Sequence, residues 1–370
     1  MKNRVFRNVA CLVAGIIPAA GCASSGGPAA GTMPAAASGT SATDHPYVYV
    51  ANQSSASVSV IDMVTDEVVE TVDLQALGFS ANAKPHHIVV EPDGSFWYVS
   101  LIADGFVLKF DRDNELVGRA AFETPGLLAL DPSDDRLYVG RSMAAVNPPQ
   151  RIGEIERSSM DLEEIDVFIA RPHAILVLPD GSHVYTASLA SNDMVSYMPS
   201  SGDTELIKVP GPAGHPHTFV QFALSPDGRR MVVGGEMTNE VLVLDATQET
   251  DPPVIATIDV PAGPWHPAFS PDGSRVYFPN QRANTVTEID TSDWSIVREI
   301  EDSRFAGPHG IAMSPDGRKL YVGNRNEKPA ADGGAAGNGF VAVIDTASGR
   351  VTKLIEVGAY ASGMGAASSR

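Results

Sequence analysis

The sequence predicts an all-β protein, a seven-bladed β-propeller with four antiparallel strands per blade. Three observations carry this. A turn signature recurs at a steady period: "EPDGSFWYVS", "DPSDDRLYVG", "LPDGSHVYTA", "SPDGRRMVVGG", "SPDGSRVYFPN" and "SPDGRKLYVGN" place their prolines at 92, 132, 179, 226, 271 and 315, spaced 40 to 47 residues apart. Each period holds four short runs with β-branched enrichment and alternating apolar and polar positions, which is one propeller blade. The two ends of the repeat region are complementary: it opens at Tyr47 on a second-type strand, and it finishes on "GAYASGMGA" from Gly358, a degenerate first strand.

Each element has a local reason. An apolar first strand such as "HGIAMS" runs into Pro-Asp-Gly, where Pro presets φ, Asp bonds nearby backbone N–H groups and Gly accepts positive φ. The second strand ("KLYVGN") carries a Tyr at one repeat position, as Tyr49, Tyr98, Tyr138, Tyr185, Tyr277 and Tyr321, expected to pack between blades rather than to stack nucleobases. The third resembles "SVSVID" or "FVAVID", and its closing Asp (Asp62, Asp111, Asp245, Asp290, Asp345) precedes a polar turn that it caps. The fourth resembles "EVVETVDL". Adding the C-terminal first strand to the three N-terminal strands gives a seventh blade and pairs the otherwise open edges.

The region before the propeller reads differently. Lys2, Arg4 and Arg7 precede the apolar run Val9 to Ile17, and "AAGC" follows. This is the pattern of an export signal over residues 1–21 ending on a lipidated Cys22, with Ala19 where a Leu is usual. Residues 22–43 are almost entirely Ala, Ser, Gly, Thr and Pro, a flexible tether. Residues 44–370 form the propeller. A cell-envelope lipoprotein is expected, on the periplasmic side of an outer membrane or at the cell surface, touching membrane through its lipid anchor only. Cys11 and Cys22 are the two cysteines, so a disulfide framework is excluded. A formal net charge of −19 excludes nucleic acid as the main partner. A monomer is expected, with an envelope protein or a small molecule as partner.

The phrases "YVYVAN…VSVID…VVETV" and "GPHGIAMSPDGRKLYVGN" resemble the YVTN-type, YncE-like family of seven-bladed propellers, over nearly everything from Tyr47 onward. The resemblance implies the fold but no single activity. Some related propellers are lactonases, and that relation implies a channel site of carboxylate, His and Arg, for which Glu236, His173, His217, His309 and Arg141 are the matching types here.

Function is expected where first strands start and second strands end, since both lie on one face of the disc. His86, Gly126, His173, Trp265 and His309 occupy equivalent starts; His87 and His266 lie one residue further in, and the fourth copy carries His215 and His217. The strand-two ends add Asn52, Arg141, Asn280 and Asn324, with Glu236 and Arg325 beside them. The loops Ser142–Gln150 and Asn326–Gly339 emerge on this face. Three readings stay open. The histidines cap strands and hold channel water; or the ring binds a protein or small ligand; or His86, His173, His217 and His309 hold copper or another divalent metal. Pro85-His86-His87 is also similar to the His-rich propeller of nitrous oxide reductase, although no Cys-x-x-Cys-His is present. Gly-x-Ser-x-Gly, phosphate-loop and His-Glu-x-x-His motifs are absent as well. A binding scaffold is the expected function; a metal-dependent or lactonase-like enzyme at the same mouth is the alternative.

Overall fold

The computed structural model describes residues 46–212, 214–327 and 337–367. The signal, Cys22 and the tether lie outside these residues, as does most of the Asn326–Gly339 loop. The described residues form seven four-stranded antiparallel sheets and no helix. Six sheets are continuous in sequence; the remaining one joins β28 (Ala361–Ala366), β1 (Tyr47–Asn52), β2 (Ser57–Asp62) and β3 (Glu67–Asp73) in that order, with β28 paired to β1. The predicted closure by the C-terminal strand is therefore present.

The inner strands are β28, β4 (Pro85–Val90), β8 (Pro125–Leu130), β12 (Pro172–Val177), β16 (Phe219–Leu224), the two-residue β20 (Ala268–Phe269) and β24 (Pro308–Met313). Each touches the next around the circle, and β24 returns to β28. Each has one pairing partner, so its second edge faces the axis. A channel wall built this way presents backbone N–H and C=O groups alongside side chains.

Hydrophobic burial holds the blades together at seven separate clusters, one per blade interface. Tyr49 of β1 stacks on Trp97, whose ring lies 4.1 Å from Phe110, between the first and second blades. Val50, Ile61, Tyr321, Val343 and Met364 perform the same task where the last blade meets the first. Tyr321 also donates from its hydroxyl to Asp66 across that seam, at 2.5 Å. The repeated tyrosines are thus inter-blade residues, as their spacing predicts.

The turns follow their chemistry. In Ser225-Pro226-Asp227-Gly228, the Asp227 carboxylate accepts from Ser225 Oγ at 2.5 Å and from the Arg229 N–H at 3.1 Å, with Gly228 at φ +72°. The copy lacking Asp-Gly compensates: the Asp131 carboxylate takes the Ser133 and Asp134 N–H groups at 2.8 and 3.2 Å. The strand-three aspartates cap as expected, Asp62 accepting from the Val64 N–H at 2.7 Å and Asp290 from Ser292 at 2.9 Å.

Candidate functional site: an imidazole neck in the axial channel

A regular strand sends successive side chains to opposite faces. In five of the seven inner strands the one or two positions after the start break this rule. Register shifts fall between Pro85 and Ile88, Pro125 and Leu128, Pro172 and Ala174, Phe219 and Phe222, and Pro308 and Ile311. These are β-bulges, and a bulge re-aims a side chain. Adjacent residues therefore reach the axial cluster together: His86 lies 6.4 Å from His173 and 6.2 Å from His309, while His87 lies 5.6 Å from His266, ring to ring. His266 and His309 join the two layers at 4.9 Å, and Trp265 packs 5.0 Å from His309.

All five imidazoles are buried. Removal from water disfavours their charged form. His87 is pushed down to about 3 and His173 to about 4, burial being the main cause in both. His86, His266 and His309 lie well below the ordinary histidine value for the same reason, reinforced by neighbouring imidazoles and by the Arg325 guanidinium. The cluster is neutral near pH 7. Neutral imidazole offers one N–H and one lone pair. His173 Nδ1 donates to the Arg141 carbonyl at 2.6 Å. His87 Nδ1 accepts the Leu128 N–H at 3.1 Å, which puts its proton on Nε2; the Gln221 side-chain nitrogen 3.4 Å away is also a donor, so this N–H is left to an acceptor in the cavity. His86 Nδ1 donates to Gln53 Oε1 at 3.3 Å, leaving the Nε2 lone pair. His86 Nε2, both nitrogens of His309 and the Trp265 indole N–H are buried without a hydrogen-bond partner. Each such group costs about 1–3 kcal/mol when left unsatisfied, so their clustering is a feature of the site rather than an accident of packing.

The other residues singled out from the sequence separate into two groups. Glu236 and Arg325 sit at the rim of the neck. Arg325 Cζ lies 5.2 Å from the centre of the Trp265 ring and 4.7 Å from that of Tyr360, so the guanidinium packs beside two aromatic rings. Burial lowers the Arg325 pKa and raises that of Glu236, which faces Arg282 at 3.7 Å. The remaining residues are spent inside their own blades. Asn52 donates to Ser57 and Ser59 at 3.1 and 2.9 Å, and Asn280 to Thr285 and Thr287 at 2.9 and 2.7 Å. Asn324 accepts from the Ala306 N–H at 3.0 Å. Arg141 is fully buried over Phe122, donating to the Glu123 and Arg151 carbonyls and to Glu164. His217 has both ring nitrogens engaged, by Thr238 Oγ1 at 2.9 Å and the Pro210 carbonyl at 2.8 Å, and His215 is exposed. The positions equivalent to His86 and His87 in that blade are Val220 and Gln221.

His86, His173, His217 and His309 are therefore not one constellation, because His217 stands outside it. Among the described residues, no three His, Cys, Asp or Glu side chains are grouped to hold a metal ion.

The roomy part of the channel lies on the other side of the neck. A cavity of about 860 Å³ runs from the floor formed by His87, Gln221 and His266 towards the Pro-Asp-Gly end, where Pro226, Pro271 and Pro315 border it. Ile88, Phe222, Ile311 and Met364 are among its wall residues. The His face and the cavity face are thus opposite ends of one axis. Gln221, Gln53, Gln281 and Tyr360 belong to the site beyond the residues singled out from the sequence. The signal for two of them was available: Gln53, Glu236, Gln281 and Arg325 all stand one residue past a strand-two end (Asn52, Gly235, Asn280, Asn324).

Comparison with known proteins agrees with this architecture. The chain matches no curated protein. Among solved structures it is similar to a functionally unknown protein from Desulfotomaculum acetoxidans DSM 771, at 14% identity and TM-score 0.70, covering 88% of this chain and 99% of that one. It is similar to Kuenenia stuttgartiensis hydrazine synthase at 22% identity and TM-score 0.56, covering 70% and 76%. A streptogramin B lyase structure aligns at 16% identity and TM-score 0.62, covering 75% and 86%. At these identities the likeness concerns fold alone. The family description "Lactonase, 7-bladed beta-propeller" matches residues 119–360, well over half of the chain. With seven four-stranded blades closed into a ring, the chain belongs to the seven-bladed β-propeller lactonase family.

Proposed function

We propose that this propeller binds a small amphipathic molecule in its axial cavity, with the molecule's polar group on the floor of His87, Gln221 and His266. The observation that carries this is the floor itself: an 860 Å³ space walled by inner strands ends on neutral side chains that offer both donors and acceptors. Concave, partly apolar sites with a few convergent polar groups are the usual form of small-molecule sites. A protein segment would need an open mouth at the His end, and there the imidazoles are buried. N-phenyl-1-naphthylamine, neutral and amphipathic, is the probe. It is expected to bind saturably with one-to-one stoichiometry and blue-shifted emission. Gln221→Trp, which sets an indole at the floor, is expected to weaken it at least tenfold. Unsaturable binding, or binding indifferent to that substitution, would refute the reading.

A second reading, hydrolysis of a lactone in the same cavity, is favoured by the family membership together with the neutral His266. An uncharged imidazole can take the proton of a water attacking a ring carbonyl; burial makes His266 a weak base, which puts its contribution at the lower end of the general-base range, about 10²-fold in rate. A pH-stat screen of γ- and δ-lactones is expected to show turnover that falls about 100-fold in His266→Gln, within that range. No turnover on any of them, or turnover untouched by His266→Gln, removes the enzymatic reading and leaves the binding one standing.

A further inference from the structure

We infer that the rim of the neck is a binding site for a small carboxylate, held by Arg325, the Trp265 indole N–H and His309. None of these residues lines the cavity on the other side, so the inference stands apart from the function proposed above.

The inference begins from what these groups lack. Trp265 and His309 are at most 4% exposed, and the indole N–H and both imidazole nitrogens have no hydrogen-bond partner. An indole N–H can only donate, so what satisfies it must be an acceptor. Arg325 brings five more N–H donors to the same place, its Cζ 5.2 Å from the Trp265 ring centre and 4.7 Å from that of Tyr360. The Gln281 amide oxygen, in the orientation that satisfies both groups, lies 2.5–3.2 Å from Nε, Nη1 and Nη2 alike, over the guanidinium plane rather than at its edge, so hydrogen bonding to a further acceptor falls to the in-plane N–H groups. Glu327 stands off at 3.8 Å from Nη1. Donors thus outnumber acceptors around a half-buried cation.

Charge selects the class of occupant. A metal cation is disfavoured because the guanidinium stands beside the imidazoles and neither it nor the indole has a lone pair to give. A phosphate dianion is disfavoured too: the site has one guanidinium, neutral imidazoles and the Glu236 carboxyl close by. One negative charge in a plane with two acceptor oxygens fits. One oxygen meets the in-plane guanidinium edge, as carboxylates do with arginine, and the other takes the N–H of Trp265 or His309. His86 closes the cluster from beside His309, offering its Nε2 lone pair to a hydroxyl on the same molecule.

The test uses the full-length protein and butyrate as probe, with butyramide as its uncharged counterpart, at fixed ionic strength. The chain has three tryptophans, so the Trp265 indole resonance in a ¹⁵N–¹H spectrum is assigned by its loss in Trp265→Phe. Butyrate is expected to shift that resonance saturably, and butyramide is not. Arg325→Gln is expected to weaken binding at least tenfold, with Arg325→Lys in between. Trp265→Phe, which keeps the ring packing and removes only the donor, is expected to weaken butyrate binding several-fold by calorimetry even if Arg325→Gln fails to fold. Equal shifts from butyramide, no saturation, or full affinity in Trp265→Phe would overturn the proposal. So would Zn²⁺ or Cu⁺ titrating the His309 ring signals stoichiometrically while butyrate does nothing.

Discussion

Ending the chain at Gly358 is expected to abolish cooperative folding, although it removes only one strand and, of the side chains at the neck rim, Tyr360 alone. β28 is the inner strand of the first blade, and its loss strips β1 of the pairs Val48–Ala366, Tyr49–Gly365 and Val50–Met364. It takes Ala361 and Met364 out of the cluster that joins the last blade to the first. It also removes Ser362, whose hydroxyl lies within 3.1–3.4 Å of the Ala51, Pro85 and His86 carbonyls. A ring held by nearest-neighbour contacts then has an open seam on both sides of one blade, and an exposed edge strand invites pairing with other chains. A point substitution isolates the packing part of this effect. A Cβ at Gly363 would sit 2.1 Å from the His86 carbonyl oxygen and 2.8 Å from the His87 Cα, both backbone. Gly363→Val is therefore expected to cost about 4 kcal/mol, the range for severe overpacking. Gly202→Val, at φ +78° but with nothing within 4 Å of its Cβ, is expected to cost about 1–2 kcal/mol from backbone strain alone. Urea unfolding of the two variants makes the comparison. Equal midpoints would mean that β28 does not pack against β4 as described.

The same packing explains what the sequence could and could not reveal. Blade number, strand roles and ring closure are periodic properties, and periodicity is what a sequence displays most directly. The turn prolines set the period, and the unpaired Tyr47–Asn52 strand demanded a partner from Ala361–Ala366. The identity of equivalent positions was legible too, which is why His86, His173 and His309 meet. Two things were hidden. Whether a polar side chain at a strand end faces the axis or its own blade depends on one residue of register and on the bulge. Asn280 turns inward to Thr287, while Gln281, its neighbour, reaches Arg325. Arg141 looks like a channel cation in sequence, yet the carbonyls of Glu123 and Arg151 and the face of Phe122 consume it. The second hidden property is depth. Pattern places the histidines at a mouth, but depth follows from ring closure, which brings seven inner strands near enough to bury them. Val220 and Gln221 show the limit on a smaller scale: the "GHPHTF" insertion carries the histidines of that copy away from the axis, and only the turn proline at 226 keeps the true register.

Acid is expected to destabilise this protein from just below pH 6.5, well before surface carboxylates begin to protonate. The sign follows from proton counts. Unfolded histidines take up a proton as pH falls through about 6.5. The folded cluster resists, since its values lie far lower: about 3 for His87 and about 4 for His173, with His86, His266 and His309 also depressed. Between those values and 6.5 the unfolded chain binds more protons than the native one, so stability falls as pH falls. Above pH 7 the penalty is absent. At pH 5, one and a half units below the unfolded value, each histidine costs about 2 kcal/mol, and His87 and His173 alone about 4 kcal/mol. The aspartates of the Pro-Asp-Gly turns move the other way. Asp227, Asp272 and Asp316 are held below 3.8 by serine hydroxyls and turn N–H groups, and their contribution is lost only under more acidic conditions. Urea midpoints at pH 7.5 and pH 5.0 separate the two regimes. A large drop over that interval is expected, and His173→Gln, which removes one titrating ring from the count, is expected to shrink it by about 2 kcal/mol. Equal stability at both values would mean that the imidazoles meet water in the folded state, and a solvated neck could not keep the neutral floor on which the cavity's chemistry depends.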